Sequence, residues 1–288
     1  MNGSHLPGVN VGLVDLFAAV AWGVHRRFGL PNVEKLDESA SDETVLLSVG
    51  GERIWWPMEF DQALLPLVWS EVFTAYPPNG HQYLHAGCRL NSSGWVLDIG
   101  ASEGFFTHRA LSAGCRVLAV EPLQRFQLAL RKTFADHVEA GTVRIACCAV
   151  GRRDGDGVMH KGGSAIGARL RHGPVRGAGR PAEEAGNSTR VRTIDGLVHD
   201  MDLDRVGFIK MDVDGHEPSA LAGAIETLRR DRPCLALACY HFCEEPRILA
   251  DLVCEANAGY RIATKGSRRV GARIIPQVLH AWPLGRGG

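Results

Sequence analysis

Val96-Leu97-Asp98-Ile99-Gly100-Ala101-Ser102-Glu103-Gly104 reads as a buried strand that ends in a glycine turn and runs into a helix starting at Phe105. Gly100 permits a tight turn without a Cβ clash, and Gly104 lets another group approach the start of the helix. Exposed backbone N–H groups at such a start can hold a carboxylate or a phosphate. Outward from this turn the chain alternates short apolar runs with longer amphipathic ones. Arg116–Val120, Val143–Val150, Gly207–Met211 and Cys234–Cys239 read as further buried strands. Phe105–Ala113, Gln124–His137 and Glu217–Arg230 read as helices. Continuous apolar strands separated by helices indicate an α/β fold, a Rossmann-like, doubly wound and mostly parallel sheet covered on both faces. Tyr260–Ala263 and Ile274–Ala281 supply final strands, the second open to an antiparallel placement.

Upstream lies an N-terminal α+β extension over residues 1–90, followed by the Rossmann-like domain over 91–288. The extension contains a helix near Val11–Arg27 and a strand Thr44–Val49. Gly50-Gly51 then precedes Arg53-Ile54-Trp55-Trp56, a hairpin signal. A helical stretch over Asp61–Ala75 ends before Pro77-Pro78, because proline cannot continue a helix and restricts its predecessor. One segment breaks the rhythm. Residues 152–192 are glycine-rich, with nine basic against four acidic side chains. They suggest a long surface excursion with a single hairpin, read equally well as a binding loop or as a solvated insertion.

Composition sets the broader limits. The chain has 288 residues, 45% apolar and 22% charged, enough for a sizeable core. Its 32 basic and 32 acidic side chains cancel, which argues against a field that gathers nucleic acid. Eight cysteines with no CxxC pair make a disulfide framework improbable and fit a reducing cytoplasm. The apolar stretch from Val9 to Phe28 is interrupted by Asp15 and closed by His25-Arg26-Arg27. It reads as a docked helix, not as a stable membrane insertion.

A second acid gives the turn its meaning. The next strand ends Val117-Leu118-Ala119-Val120-Glu121-Pro122, and Glu121 follows Asp98 by 23 residues. That is close to the spacing at which a carboxylate accepts both hydroxyls of a ribose. A dinucleotide fingerprint also needs a middle glycine for close approach to a pyrophosphate, and Ser102 stands there instead. S-adenosylmethionine has no pyrophosphate, and an acid such as Asp98 suits its sulfonium and ammonium cations. The methyl donor is therefore favoured over NAD(P), leaving an oxidoreductase as the alternative, with a non-catalytic S-adenosylmethionine-binding protein as the third reading.

At this point the chain resembles the FkbM-type methyltransferases over about residues 70–265. The resemblance is carried by the first turn, by Ala119-Val120-Glu121-Pro122, by Ala149-Val150-Gly151 and by Thr193-Ile194-Asp195-Gly196-Leu197. It continues in Phe208-Ile209-Lys210-Met211-Asp212-Val213-Asp214-Gly215-His216-Glu217 and closes on Leu221-Ala222-Gly223-Ala224. The family usually has Asn in the turn where this chain has Ser102-Glu103, and Glu where Asp214 stands. The resemblance implies a class I methyltransferase fold and methyl transfer to a hydroxyl of a sugar or natural product.

Candidate donor contacts are Asp98, Gly100, Ala101, Ser102 and Gly104 in the turn, with Glu121, Pro122 and Ala149 on the following strands. Catalytic groups in open α/β sheets sit at the carboxyl ends of strands. Asp212, His241 and His216 are the candidates there. Asp212 or His241 would act as base, or Asp212 would help hold a divalent cation such as magnesium. Glu217 reads as a first-turn acid favoured by the helix dipole. Cys239, His241 and Cys243 alternate on one strand, and a zinc site built on them lacks a fourth ligand. The expected partner is a small hydroxylated acceptor, with no nucleic acid and with homo-oligomerisation open.

Overall fold

The computed structural model describes residues 29–39, 42–75, 79–85, 87–161, 168–172, 187–242, 244–270 and 273–284. The expected helix near Val11–Arg27 lies outside them, as do Cys243 and much of the excursion. Among the described residues no helix is long and apolar enough to cross a membrane.

A seven-stranded sheet organises the chain. Its strands are β4 (Trp95–Ile99), β5 (Arg116–Val120), β6 (Val143–Ala146), β11 (Val206–Met211), β12 (Cys234–Ala238), β13 (Tyr260–Val270) and β14 (Arg273–Pro283). They lie in the order β13-β14-β12-β11-β4-β5-β6. The five strands from β12 to β6 are parallel, whereas β14 runs antiparallel to both β12 and β13. Alternate residues of the strands enter two cores. Leu97, Ile99, Leu118, Ile209 and Leu235 face one; Val96, Val117, Phe208 and Ala236 face the other. Both faces are dry, which is why these strands are apolar throughout instead of alternating.

Helices follow the strands as expected, with informative breaks. α2 (Phe105–Ser112) follows β4, and α3 (Gln124–Thr133) with α4 (Ala135–Glu139) divide the single helix expected over Gln124–His137. The Thr133 hydroxyl oxygen at the break accepts from the Trp55 backbone N–H at 2.8 Å. The helix expected over Glu217–Arg230 is likewise two, α6 (Glu217–Leu221) and α7 (Ile225–Arg230). Gly223 lies between them, where a Cβ would stand 2.3 Å from the Gly151 carbonyl oxygen. Two further helices carry no expectation from the sequence: α5 (Ile194–Asp200), capped by the Thr193 hydroxyl at 3.1 Å from Gly196 N, and α8 (Glu245–Ala256).

The upstream elements form a sheet β1-β2-β3 from Val33–Ser39, Thr44–Val49 and Glu52–Pro57. The Gly50-Gly51 hairpin joins β2 and β3. A short 3₁₀ turn, Gln62–Leu64, opens on an Asp61 cap and leads into α1 (Leu65–Phe73). Leu47, Ile54, Trp56 and Leu65 share a core with Phe105 and Phe126, and the Trp56 and Phe126 rings meet at 5.4 Å. The extension is therefore packed on the helices that follow the first two strands of the main sheet.

The strand expected over Val143–Val150 ends early. β6 stops at Ala146, and β7 (Ala149–Val150) belongs to a separate sheet, β7-β10-β8-β9. Cys147 at the break is exposed instead of lying in a buried strand. The described part of the excursion is more ordered than a single hairpin. β8 (Gly155–Lys161) and β9 (Ala168–His172) pair antiparallel, and β10 (Asn187–Arg192) adds a third strand against β8.

Candidate active site

A cavity of about 410 Å³ opens at the carboxyl ends of β4, β5 and β11. This volume falls within the range of small-molecule sites. Its lower wall is the first turn and the end of β5: Gly100, Ser102, Glu103, Glu121 and Pro122, with Ala149 beyond. Its far end is formed by Asp212, Asp214, His216 and Tyr240. Leu64, Leu67, Val68 and Val72 of the extension, together with Met159 and Leu170 of the small sheet, close its apolar sides.

Of the donor contacts expected from the sequence, Gly100, Ser102, Glu121, Pro122 and Ala149 line the cavity. Asp98, Ala101 and Gly104 lie behind the wall. Asp98 is fully buried, accepts from the Thr107 hydroxyl at 2.7 Å, and has Lys210 Nζ 3.1 Å from its other oxygen. Its charge is thus matched inside the protein. Gly104 has φ +88°, and a Cβ there would stand 2.7 Å from the Phe134 ring. The group that approaches the helix start is a core side chain. Gly100 has φ +75°, and its missing Cβ leaves room for the Asp212 carbonyl oxygen, 2.0 Å from where that carbon would stand. Each glycine is required by packing between elements as well as by its own backbone angle.

Glu121 braces the turn from the neighbouring strand. Its two oxygens accept from Ser102 N at 3.0 Å and Leu123 N at 2.8 Å. Burial raises its carboxyl to about 7, against those hydrogen bonds and the Lys210 charge, which favour the ionised form. Burial likewise raises Glu103 to about 7, with Lys210 opposing. Two carboxyls thus stand beside the first turn poised to ionise near neutral pH.

The far end is organised around Asp212. Tyr83 donates its hydroxyl to Oδ2 at 2.9 Å, and the Tyr240 hydroxyl lies 3.2 Å from the same oxygen. His81 Nε2 stands 3.7 Å away, and His241 Nε2 is 3.6 Å from Oδ1. Burial alone would raise Asp212, but His81, His241, Lys210 and the Tyr83 hydroxyl outweigh it and hold the carboxyl below its usual range. Burial lowers His81 to about 4, so at neutral pH the positive charges near Asp212 come from Lys210 and His241. Asp212 does not cap the following helix, whose N-cap is His216 and which has no side-chain cap bond.

His241 sits behind Asp212, not on the cavity wall. Its Nδ1 is 3.5 Å from both Glu217 and Glu245, two fully buried carboxyls. Burial disfavours its charge, but Glu245, Glu217 and Asp212 overcome this and raise it to about 9. Glu217 stands in the first turn of α6, as expected from the sequence, but has a second role. It is sealed inside, and its Oε1 accepts from Val213 N at 2.7 Å. Asp212, Glu217 and His241 also bring one ligand atom each within 4.8 Å of one another, close enough to share a cation.

Sequence reasoning missed His81, Tyr83, Lys210, Glu103 and Tyr240. Lys210 had a signal: a lysine inside an apolar strand must find a counter-charge, and Asp98 stands opposite it in the parallel register. His81 and Tyr83 follow α1 in a stretch with no periodic pattern, and only tertiary contact brings them to Asp212.

A methyltransferase FkbM domain model matches residues 98–262, more than half of the chain. Among solved structures, a methyltransferase FkbM from Methylobacillus flagellatus KT is 22% identical with a TM-score of 0.49, covering 74% of this chain and 48% of that one. This chain therefore spans less than half the length of that protein. A SAM-dependent methyltransferase from Agrobacterium tumefaciens is 15% identical with a TM-score of 0.43, covering 84% and 70%. A precorrin-6y C5,15-methyltransferase from Geobacter metallireducens GS-15 is 16% identical with a TM-score of 0.39, covering 69% and 83%. No curated protein sequence matches.

Proposed function

Because this chain belongs to the FkbM methyltransferase family, we propose that it methylates a hydroxyl group on a small sugar-like or natural-product acceptor, with S-adenosylmethionine as donor. The observation that carries this reading is one continuous cavity that joins Glu121 and the first turn to Asp212. A nucleoside end and a reacting end are thereby served by one site.

The residues fit that donor. Glu121 ends β5 on the cavity wall, where a carboxylate accepts ribose hydroxyls, and Glu103 offers a second carboxyl to a cationic ligand. Bound there, the donor supplies an electrophilic methyl on a sulfonium. Asp212 accepts the hydrogen bond of the acceptor hydroxyl and takes its proton as the oxygen bonds to the methyl carbon. Tyr83 and Tyr240 fix the orientation of that carboxylate. His241 is a charged support for Asp212 and not the free base, because a group raised to about 9 keeps its proton at neutral pH. His216 lines the acceptor end and contacts the acceptor there. Alignment of the two reactants in one cavity supplies much of the remaining acceleration.

The test is to incubate the purified chain with S-adenosylmethionine and a panel of hydroxylated sugars and natural products, and to follow S-adenosylhomocysteine by mass spectrometry. Acceptor-dependent formation of S-adenosylhomocysteine is expected. Binding of NADH without binding of S-adenosylmethionine would replace this reading with the oxidoreductase. Binding of the donor with no turnover on any acceptor would leave a cofactor-binding protein.

A further inference from the structure

Glu103 has no part in the scheme above beyond offering a charge, and its position is costly. It is 8% exposed and sits in a turn directly ahead of Phe105 and Phe106, where burial penalises a carboxylate. Ser102 beside it takes φ +46°, a left-handed backbone that disfavours a residue with a Cβ. A buried carboxyl on a cavity wall, on a strained turn, asks for a cationic ligand.

The charges around it are few. Asp98 and Lys210 face it from β4 and β11, and Glu121 faces it from the end of β5. Lys210 already lies 3.1 Å from Asp98 and donates to the Gly100 carbonyl at 2.8 Å. Lys210 is thereby shared among Asp98, Glu103 and Glu121, so acidic side chains outnumber basic ones at this part of the wall. Methyl transfer removes one positive charge from the donor: the sulfur–methyl bond breaks, its electron pair stays on sulfur, and a neutral thioether remains. The acceptor proton leaves separately, to Asp212.

We propose that Glu103 faces the sulfonium of the bound donor and makes this site discriminate the charged methyl donor from its neutral thioether by-product. The inference rests on the donor assignment above. Glu121 faces groups that the donor and by-product share, so it shifts both affinities together. Glu103 acts on the one charge by which they differ. Its ordinary carboxyl range is already raised to about 7 by burial, so a cationic ligand draws off its proton and the neutral by-product does not. The same field opposes loss of the sulfonium charge during transfer, so the device trades some transfer rate for faster product release.

The experiment is calorimetric titration of the full chain with S-adenosylmethionine and with S-adenosylhomocysteine, at pH 6 and pH 8. In the unaltered chain the donor is expected to bind about tenfold more tightly than the by-product at pH 8, with the ratio shrinking at pH 6 as Glu103 takes up its proton. Glu103→Gln is expected to weaken the donor about tenfold at pH 8, to leave the by-product within about threefold, and to abolish the pH dependence of the ratio. Equal weakening of both ligands, or no weakening of either, overturns the proposal. Should the variant not fold, a pH-independent ratio in the unaltered chain overturns it equally. Failure of the unaltered chain to bind either ligand rejects the donor assignment itself, a result distinct from a lost ratio.

Discussion

Lys210 stands opposite Asp98 on neighbouring parallel strands, its Nζ 3.1 Å from Oδ1, with both side chains less than a tenth exposed. Burial opposes the ammonium charge, but Asp98, Asp212 and Glu103 outweigh it and raise Lys210. The Lys210 cation thus sits between the turn that carries Glu103 and the Asp212 carboxylate.

Removing either partner strands a charge. Asp98→Asn or Lys210→Met alone is expected to cost about 3–5 kcal/mol in urea unfolding. The double substitution is expected to cost less than the sum of the two, by about 1–3 kcal/mol. Strict additivity of the two losses would show that the pair does not act as a unit.

Asp212→Asn keeps shape and removes the proton acceptor. Methyl transfer is expected to fall about 10²–10⁴-fold while the donor dissociation constant changes by less than about threefold, since the proposed donor site lies at the other end of the cavity. Unchanged turnover in a steady-state assay would remove Asp212 from the reaction.

Tyr83 and Tyr240 favour the ionised form of Asp212 by donating to it. Losing one such bond to a charged group is worth about one pKa unit. Tyr83→Phe and Tyr240→Phe should each move the acid limb of the pH–rate profile upward by about that much. A limb that stays in place assigns the titration to another group.

The buried Glu217 and Glu245 meet a cation already provided by the chain, His241. Chelator treatment is therefore expected to leave turnover and thermal midpoint unchanged. A loss of either with EDTA, restored by magnesium, would place a metal among Asp212, Glu217 and His241 instead.

His280 is fully buried, and burial together with His85 lowers it to about 3. Its folded value is depressed below the unfolded one, so its contribution is fully present above about pH 6.5 and is lost as pH falls toward 3. Its share of the slope is about 1.4 kcal/mol per pH unit between pH 6 and pH 4. His280→Gln should flatten urea-derived stability over that window by about this amount; an unchanged slope would mean His280 is protonated in the folded state.

Much of the fold was legible because its strands are short, apolar and regularly spaced. β4 and β5 end where the sequence placed them, and β11 and β12 within one residue. The sequence reading erred where tertiary contact overrode a local pattern. Val143–Val150 was read as one strand because it is continuously apolar apart from Arg144, but its second half pairs with β10 and not with the main sheet. The helix over Glu217–Arg230 divided at Gly223, which makes room for the Gly151 carbonyl, a partner 72 residues away in sequence. In the cavity, Glu121 and Asp212 were readable because acids that end buried strands have few structural reasons to be there.

The sequence by itself determined the α/β order, the glycine turn, the acid that follows β5 and the acid at the end of β11. Each is a local matter of side-chain type, spacing and strand end. Only the tertiary structure decided which acids line the cavity. It buried Asp98 against Lys210, turned Glu103 and Glu121 to the cavity, and brought His81 and Tyr83 from an unpatterned stretch onto Asp212. Those outcomes depend on burial and on partners far apart in the chain, and the free energy of a buried charge is set by its neighbours and not by its own residue type.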